Sequence, residues 1–164
     1  MAKGGIEMTR LLSLDTSTTS TGCAVYENGK LKETKLIVGD KKVLAEDRIR
    51  NILKSIFDYI SEISPDIVVF ETPSIARNPK TQRELCYVCG CVIGLCIIKD
   101  IFYYEMRPSE WRKIVKSKDE VLPRKRAELK KWAIQKVKTD FGIEVGDDIA
   151  DAVLMGKAYI GLFE

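Results

Sequence analysis

The chain contains no histidine. That absence excludes His-ligated zinc, the Ser-His and Cys-His nucleophile systems, and the commonest general base. Long apolar runs are also missing: MAKGGIEMTR lacks the hydrophobic stretch of a signal peptide, and no uninterrupted segment approaches the length of a membrane span. A soluble cytoplasmic protein with no membrane partner is the expectation. There is no repeat, low-complexity tract or interdomain linker. The 164 residues therefore read as a short flexible extension, 1–9, and one domain, 10–164, large enough to bury a core without staples.

Cysteine is scarce except in one place. Of five cysteines, Cys86, Cys89, Cys91 and Cys96 fall within LCYVCGCVIGLC. Zinc sites usually unite separated Cys pairs from loops, whereas these four lie in one apolar, helical segment, so they read as buried thiols packing a tight helix interface. The odd total, with Cys23 on a predicted strand, fits a reducing compartment.

Acids at the ends of predicted core elements carry most of the chemistry. Asp15 closes the strand RLLSLD and Glu71 closes DIVVFE, while Asp148 and Asp151 stand near the start of the last helix. A carboxylate at the end of a buried strand is costly without a positive partner, and no Lys or Arg adjoins either strand end in sequence. A divalent metal is the natural partner. Residues 148 and 151 are three apart and share one helix face. Oxygen-only ligation suits Mg²⁺, with Mn²⁺ as substitute. Several carboxylates are what two ions per site require, and Asp15, on the first strand, is the candidate bridging ligand.

Net charge is only +3, but its distribution is uneven: from Arg107 to Lys138 twelve Lys and Arg face four acids. This third of the chain reads as a polyanion-binding surface.

Hydrophobic patterning places these residues. Leu11–Asp15, Thr21–Tyr26 and Leu31–Val38 read as three sequential antiparallel strands, the last two joined at Asn28-Gly29. Apolar residues at helical spacing predict a helix from about 43 to 63, ending before Pro65. Asp66–Glu71 reads as a strand covered on both faces, TPSIARNPK as an irregular loop, and Thr81–Ile98 as a nearly all-apolar helix with Gly90 and Gly94. Ile101–Met106 reads as a fifth strand, Pro108 opens a short helix to Val115, and helices follow at about 124–141 and 147–162. That order implies an α/β fold: a mixed five-stranded sheet, three antiparallel strands then two parallel, with helices on both faces. Both strand-borne acids then lie at the carboxyl edge, where ligands gather.

At this point the residues resemble the RuvC family of Holliday-junction resolvases, which have the ribonuclease H-like fold. LSLDTSTTSTGCAVYENGKL resembles the family's first hairpin, with Asp15 followed seven residues later by Gly22; DIVVFE resembles its acid-terminated central strand, EMRPSEWRK its strand-Pro-helix passage, and DDIADAVLMG its closing helix. The likeness runs from about Leu11 to Gly161. It implies a homodimeric, Mg²⁺-dependent endonuclease that nicks four-way DNA junctions, with Asp15, Glu71, Asp148 and Asp151 as catalytic metal ligands, in the cytoplasm in association with the nucleoid or phage DNA. Asp147 points away from that pair and reads as a helix-cap or dipole partner. Arg112 and Lys125 align with family lysines, which marks them as DNA-binding, with Lys113 and Arg124 beside them and Arg77 and Lys80 flanking the loop after Glu71. Trp111 reads as packing the short helix. The helix Thr81–Ile98 is the expected dimer interface.

The chain departs from the family pattern after Glu71. Many members carry Gln next and an aromatic residue in the following loop that wedges into the junction; here stand Thr72, Pro73, Ser74 and Ile75. Looser selection, reaching other branched DNA, is the expectation. Two competing readings are an ATP-binding domain like those of actin and the sugar kinases, whose first phosphate loop the same hairpin resembles, and a branched-DNA-binding module without activity. The former uses two lobes where this chain has one. The latter would fit a chain in which an acid had been lost, and none has been.

Overall fold

Two buried segments of apolar and small residues, followed by a largely charged and exposed third, build the first half of the sheet. In the computed structural model, which describes residues 10–73 and 78–163, these are β1 (Arg10–Thr16), β2 (Ser20–Glu27) and β3 (Lys30–Val38). Asn28 (φ 48°) and Gly29 (φ 75°) make the turn between β2 and β3, the left-handed pair that matches strand twist in a tight hairpin. β4 (Ile67–Glu71) and β5 (Phe102–Met106) complete the sheet. The strand order is β3-β2-β1-β4-β5, with β1, β4 and β5 mutually parallel and the hairpin strands antiparallel. The expected mixed sheet is what forms.

Each strand sends alternate side chains to opposite faces. Leu12, Leu14, Cys23, Val25, Val68 and Phe70 face α1 (Ala45–Ile63) and α2 (Pro79–Ile98), whereas Leu11, Ala24, Tyr26, Ile67, Val69 and Met106 face α5 (Asp147–Gly161). Two further helices, α3 (Pro108–Val115) and α4 (Arg126–Phe141), pack on α5. α1 buries Ile52, Ile56, Tyr59 and Ile60, the i, i+4, i+7, i+8 stripe of a surface helix. It ends at Ser64, whose left-handed backbone (φ 47°) lets its N–H donate to the Ile60 carbonyl.

Three expectations shift. α2 begins at Pro79, two residues before the predicted start, because Asn78 caps it by accepting from the Lys80 N–H at 2.9 Å and Pro79 needs no hydrogen-bond partner at the first position. The thiols of α2 do not all pack: Cys89 and Cys96 are buried against the sheet, but Cys86 and Cys91 are exposed, since a helix on one sheet face presents only half its circumference. The same helix is, by length and mean hydropathy (1.4), apolar enough to cross a membrane, which the sequence reading had excluded. Here Val88, Cys89, Val92 and Cys96 are buried, the last three in the sheet-side core. Tyr87, Ile97 and Ile98 remain outside, with Ile98 83% exposed. Gly90 and Gly94 have nothing within 4 Å of where a Cβ would stand.

Candidate active site

Strand register brings the first two acids together. Leu14 pairs with Phe70 across the parallel β1–β4 ladder, so Asp15 and Glu71, one residue further on each strand, end at the same level. Both have the parity of the α5-facing residues Leu11 and Val69. The third and fourth acids depend on how closely α5 can approach. Gly22, opposite Asp15 in the β1–β2 ladder, makes that approach possible: a Cβ there would lie 2.0 Å from the Asp148 carbonyl oxygen. Gly156 does the same one stretch further along α5, where a Cβ would meet the Tyr26 ring at 2.6 Å. The Tyr26 hydroxyl donates to the Val153 carbonyl at 2.7 Å and fixes the contact.

Asp15, Glu71, Asp148 and Asp151 thereby line one cleft of about 990 Å³, together with Ser17, Thr72, Pro73, Asn78, Cys89, Arg112, Arg126, Lys130 and Asp147. Its walls hold individual carboxylate oxygens. The Ser20 hydroxyl donates to Asp148 Oδ2 at 2.5 Å, the Trp111 indole N–H donates to Glu71 Oε2 at 2.9 Å, and Arg112 Nη2 lies 3.9 Å from Asp151 Oδ2. Asp147, in the first turn of α5, pairs with Lys130 of α4, and that hydrogen bond holds its carboxyl below the usual range. Asp147 thus has the helix-terminal place expected of it, but instead of pointing away from Asp148 and Asp151 it lines the same cleft, held by a cation the sequence did not reveal.

Electrostatically the cleft carries more negative charge than the protein neutralises. Burial, then the like charges of Asp151, Glu71, Asp148 and Asp147, hold the Asp15 carboxyl well above its ordinary value. Burial pushes Asp151 up to about 7 in spite of Arg112. Glu71 is also raised by burial, partly offset by the Trp111 hydrogen bond and by Arg112 and Arg126. Tertiary structure therefore supplies the cations that neither strand has in sequence, but not enough of them. Among the described residues no three such side chains are already drawn into a closed metal cluster; the acids share the cleft as separate, mutually repelling groups. An all-oxygen donor set with surplus negative charge fits a hard divalent cation.

The basic residues separate into two groups. Arg112 lines the cleft, as do Arg126 and Lys130, two residues the sequence reading did not single out. Lys113 and Arg124 are exposed outside it. Lys125 is the N-cap residue of α4, with its side chain 83% exposed and 3.9 Å from Glu128. Lys80 stands in the first turn of α2, 3.9 Å from Glu84. Arg77 lies outside the described residues, as do Ser74 and Ile75 of the loop that departs from the family pattern. Trp111 is fully buried, as its packing role requires. Its bond to Glu71 and that of Ser20 to Asp148 were not anticipated, because neither donor is near its acceptor in sequence.

Fold and cleft together define the class: a ribonuclease H-like α/β domain with an acidic centre at the carboxyl edge of its parallel strands. No family model matches the chain. Curated relatives do. The crossover junction endodeoxyribonuclease RuvC of Finegoldia magna is 30% identical over 92% of this chain and 92% of its own length, and that of Carboxydothermus hydrogenoformans is 26% identical over 94% and 96%. The chain belongs to the RuvC family. Among solved structures, Thermus thermophilus RuvC in complex with a Holliday junction substrate superimposes with a TM-score of 0.72 at 15% identity, over 93% of each chain. The yeast mitochondrial Holliday junction resolvase Ydc2 gives 0.62 at 14% identity, over 94% of this chain and 78% of that one; both likenesses are of fold.

Proposed function

We propose that this chain is a metal-dependent endodeoxyribonuclease that nicks four-way DNA junctions, and other branched DNA, by hydrolysing one phosphodiester on each of two symmetry-related strands. The observation that carries this reading is the cleft itself: four carboxylates with incompletely compensated charge, rimmed by Arg112, Arg126 and Lys130, in a chain of the RuvC family. Asp15, Glu71, Asp148 and Asp151 would hold the metal, Mg²⁺ with Mn²⁺ as substitute, as two ions in each site. When bound, the ions supply Lewis-acid activation of water and stabilise charge on the scissile phosphate. Asp15 has no side-chain hydrogen bond or ion pair among the described residues, so its carboxylate would be available to hold metal. Arg112, Arg126 and Lys130 face the phosphate and neutralise charge that develops in the transition state. Lys80, Lys113, Arg124 and Lys125, with Arg77, bind the flanking backbone at longer range.

Paired cuts need paired sites, and we assign the homodimer interface to the outer face of α2. Tyr87, Ile97 and Ile98 on that helix, and Phe102 on the edge strand β5, are exposed apolar residues, and open glycine positions at 90 and 94 allow a second helix to approach closely. Residues 10–164 act as one nuclease domain, and the protein works in the cytoplasm where its DNA resides. The test is incubation of labelled four-way junction, fork, duplex and single strand with the protein, with and without Mg²⁺. Nicking confined to branched substrates with Mg²⁺ present is expected. Magnesium-independent nicking, or none on any substrate, contradicts the reading.

A further inference from the structure

We propose that Trp111 is a positioning residue that restricts Glu71 to ligation through a single oxygen, and so disposes the metal site toward small octahedral ions over calcium. This inference rests on the reading of Glu71 as a metal ligand.

The indole N–H is one donor with no acceptor capacity. It donates to Glu71 Oε2 at 2.9 Å from a side chain with no solvent exposure. Water cannot compete for that bond, and the indole cannot itself coordinate a cation. The ring has little freedom to withdraw: it stacks on Trp132 at 6.5 Å between centroids and 24° between planes, and the Arg112 guanidinium lies 4.7 Å from its centroid. Trp132 is fixed in turn by donating its own indole N–H to Glu120 Oε1 at 2.6 Å. The bond takes one lone pair of Oε2 and aims that oxygen at the indole, so Oε1 is the oxygen of Glu71 left without a protein partner among the described residues. A carboxylate with both oxygens free can chelate, which suits Ca²⁺ with its six to eight flexible ligands; Mg²⁺ demands near-ideal octahedral geometry and is served by one-oxygen ligands. A buried indole that merely satisfied its N–H could use any carbonyl. This one is spent on a carboxylate of the acidic centre, and α3 brings Arg112 to Asp151 from the next position in the chain.

The test is equilibrium binding of Mg²⁺ and of Ca²⁺, measured separately on wild-type protein and on Trp111→Phe by titration without DNA, so that the readout is independent of turnover. Loss of a supporting hydrogen bond typically costs roughly 10–100-fold in metal affinity. Mg²⁺ affinity should fall by about tenfold on that scale while Ca²⁺ affinity falls much less. A merely structural role weakens both ions by the same factor, and that result overturns the assignment. Should the variant fail to fold, the wild-type protein still decides. Its two tryptophans give two indole N–H signals in a ¹⁵N correlation spectrum, assigned with Trp132→Phe; Mg²⁺ should displace the Trp111 signal and leave that of Trp132 in place. A Trp111 signal indifferent to Mg²⁺ at saturation overturns the proposal while leaving the metal site standing. A wild-type protein that binds neither ion removes the metal reading of the cleft and this proposal with it.

Discussion

The two faces of the sheet solve different problems with similar amounts of apolar sequence. On the α5 face, small residues at Gly22 and Gly156 draw a helix against the strands, and Tyr26, Trp111, Leu154 and Tyr159 are buried, with Tyr104, Trp132 and Phe141 partly buried against them. On the α1/α2 face the same alternation fills a core with Leu12, Leu14, Val68 and Phe70, yet α2 keeps Tyr87, Ile97 and Ile98 outside. The α5 face, where the four acids gather, is the one drawn tight. The other leaves apolar side chains exposed, the kind of patch that marks an interaction surface. On the proposed reading, close approach marks the side that would carry the chemistry and open apolar surface the side that would receive a second copy.

The largest effect should come from breaking the closed side at its tightest point. Gly22→Ala puts a methyl group where the Asp148 carbonyl stands, and neither backbone can move without displacing β2 or α5. Overpacking of this kind costs about 1–3 kcal/mol. Junction cleavage should fall much further than the loss of folded protein explains, because Asp148 moves with the helix. Urea denaturation beside nicking rates on folded protein checks this; an active, fully stable variant would show that α5 is not anchored at Gly22.

On the open side a bulky substitution should do the reverse. A Cβ at position 94 would have nothing within 4 Å of it, and replacing glycine in a helix interior, here by Gly94→Leu, gains up to about 1 kcal/mol. The protomer should hold its stability or gain, while sedimentation at micromolar concentration shows the dimer lost. A dimer that survives moves the interface elsewhere, and wild-type protein sedimenting as a monomer removes it.

A smaller effect sharpens the electrostatic side of the comparison. Asp140 of α4 lies between Lys157 of α5, at 2.8 Å, and Lys136, at 3.3 Å. Burial raises its carboxyl pKa, but the bonds and charges of the two lysines outweigh this and hold it below the ordinary value. A folded-state pKa below the unfolded one gives stability that is fully present above the unfolded value, near 3.8, and is lost as pH falls through the folded value. Asp140→Asn should therefore cost about 1 kcal/mol, the upper range for partly exposed pairs, at every pH from 5 to 8, with the gap to wild type closing below pH 4. Denaturation at stepped pH reads this, and a gap that widens in acid contradicts the assignment.

Smallest of all is Ser13→Ala. The Ser13 hydroxyl is buried on the α5 face without a hydrogen-bond partner among the described residues, and removing an unsatisfied buried group is near neutral or stabilising. A loss above about 1 kcal/mol, the net worth of one hydrogen bond, would show that the hydroxyl has a partner, such as a bound water.

What was legible in the chain follows this same division. Periodicity located the strands and helices because burial imposes a period of two or 3.6 on any element packed on one side, and Asp15, Glu71, Asp148 and Asp151 were visible as charges where apolar residues were due. Ser20 and Trp111 were not visible as their partners: Ser20 is 128 residues from Asp148 and Trp111 is 40 from Glu71, and no local pattern encodes a contact made only by tertiary folding. For the same reason the basic stretch was recognisable as a whole, while the turning of Arg126 and Lys130 toward the cleft, and of Lys113 and Arg124 away from it, was not. The four thiols of α2 misled because helical spacing gives the face of a residue but not what covers it.

The central claim is that the four carboxylates act as one metal-dependent centre whose loss leaves DNA binding by the surrounding basic residues intact. It is tested most directly by comparing wild type, Asp15→Asn and Glu71→Gln on a labelled four-way junction, with nicking measured in Mg²⁺ and binding measured in its absence. Both variants should bind the junction with nearly wild-type affinity and lose nicking by roughly 10²–10³-fold or more, the scale for removing a preorganised electrostatic group from an active site. Nicking at the wild-type rate in either variant would contradict the account.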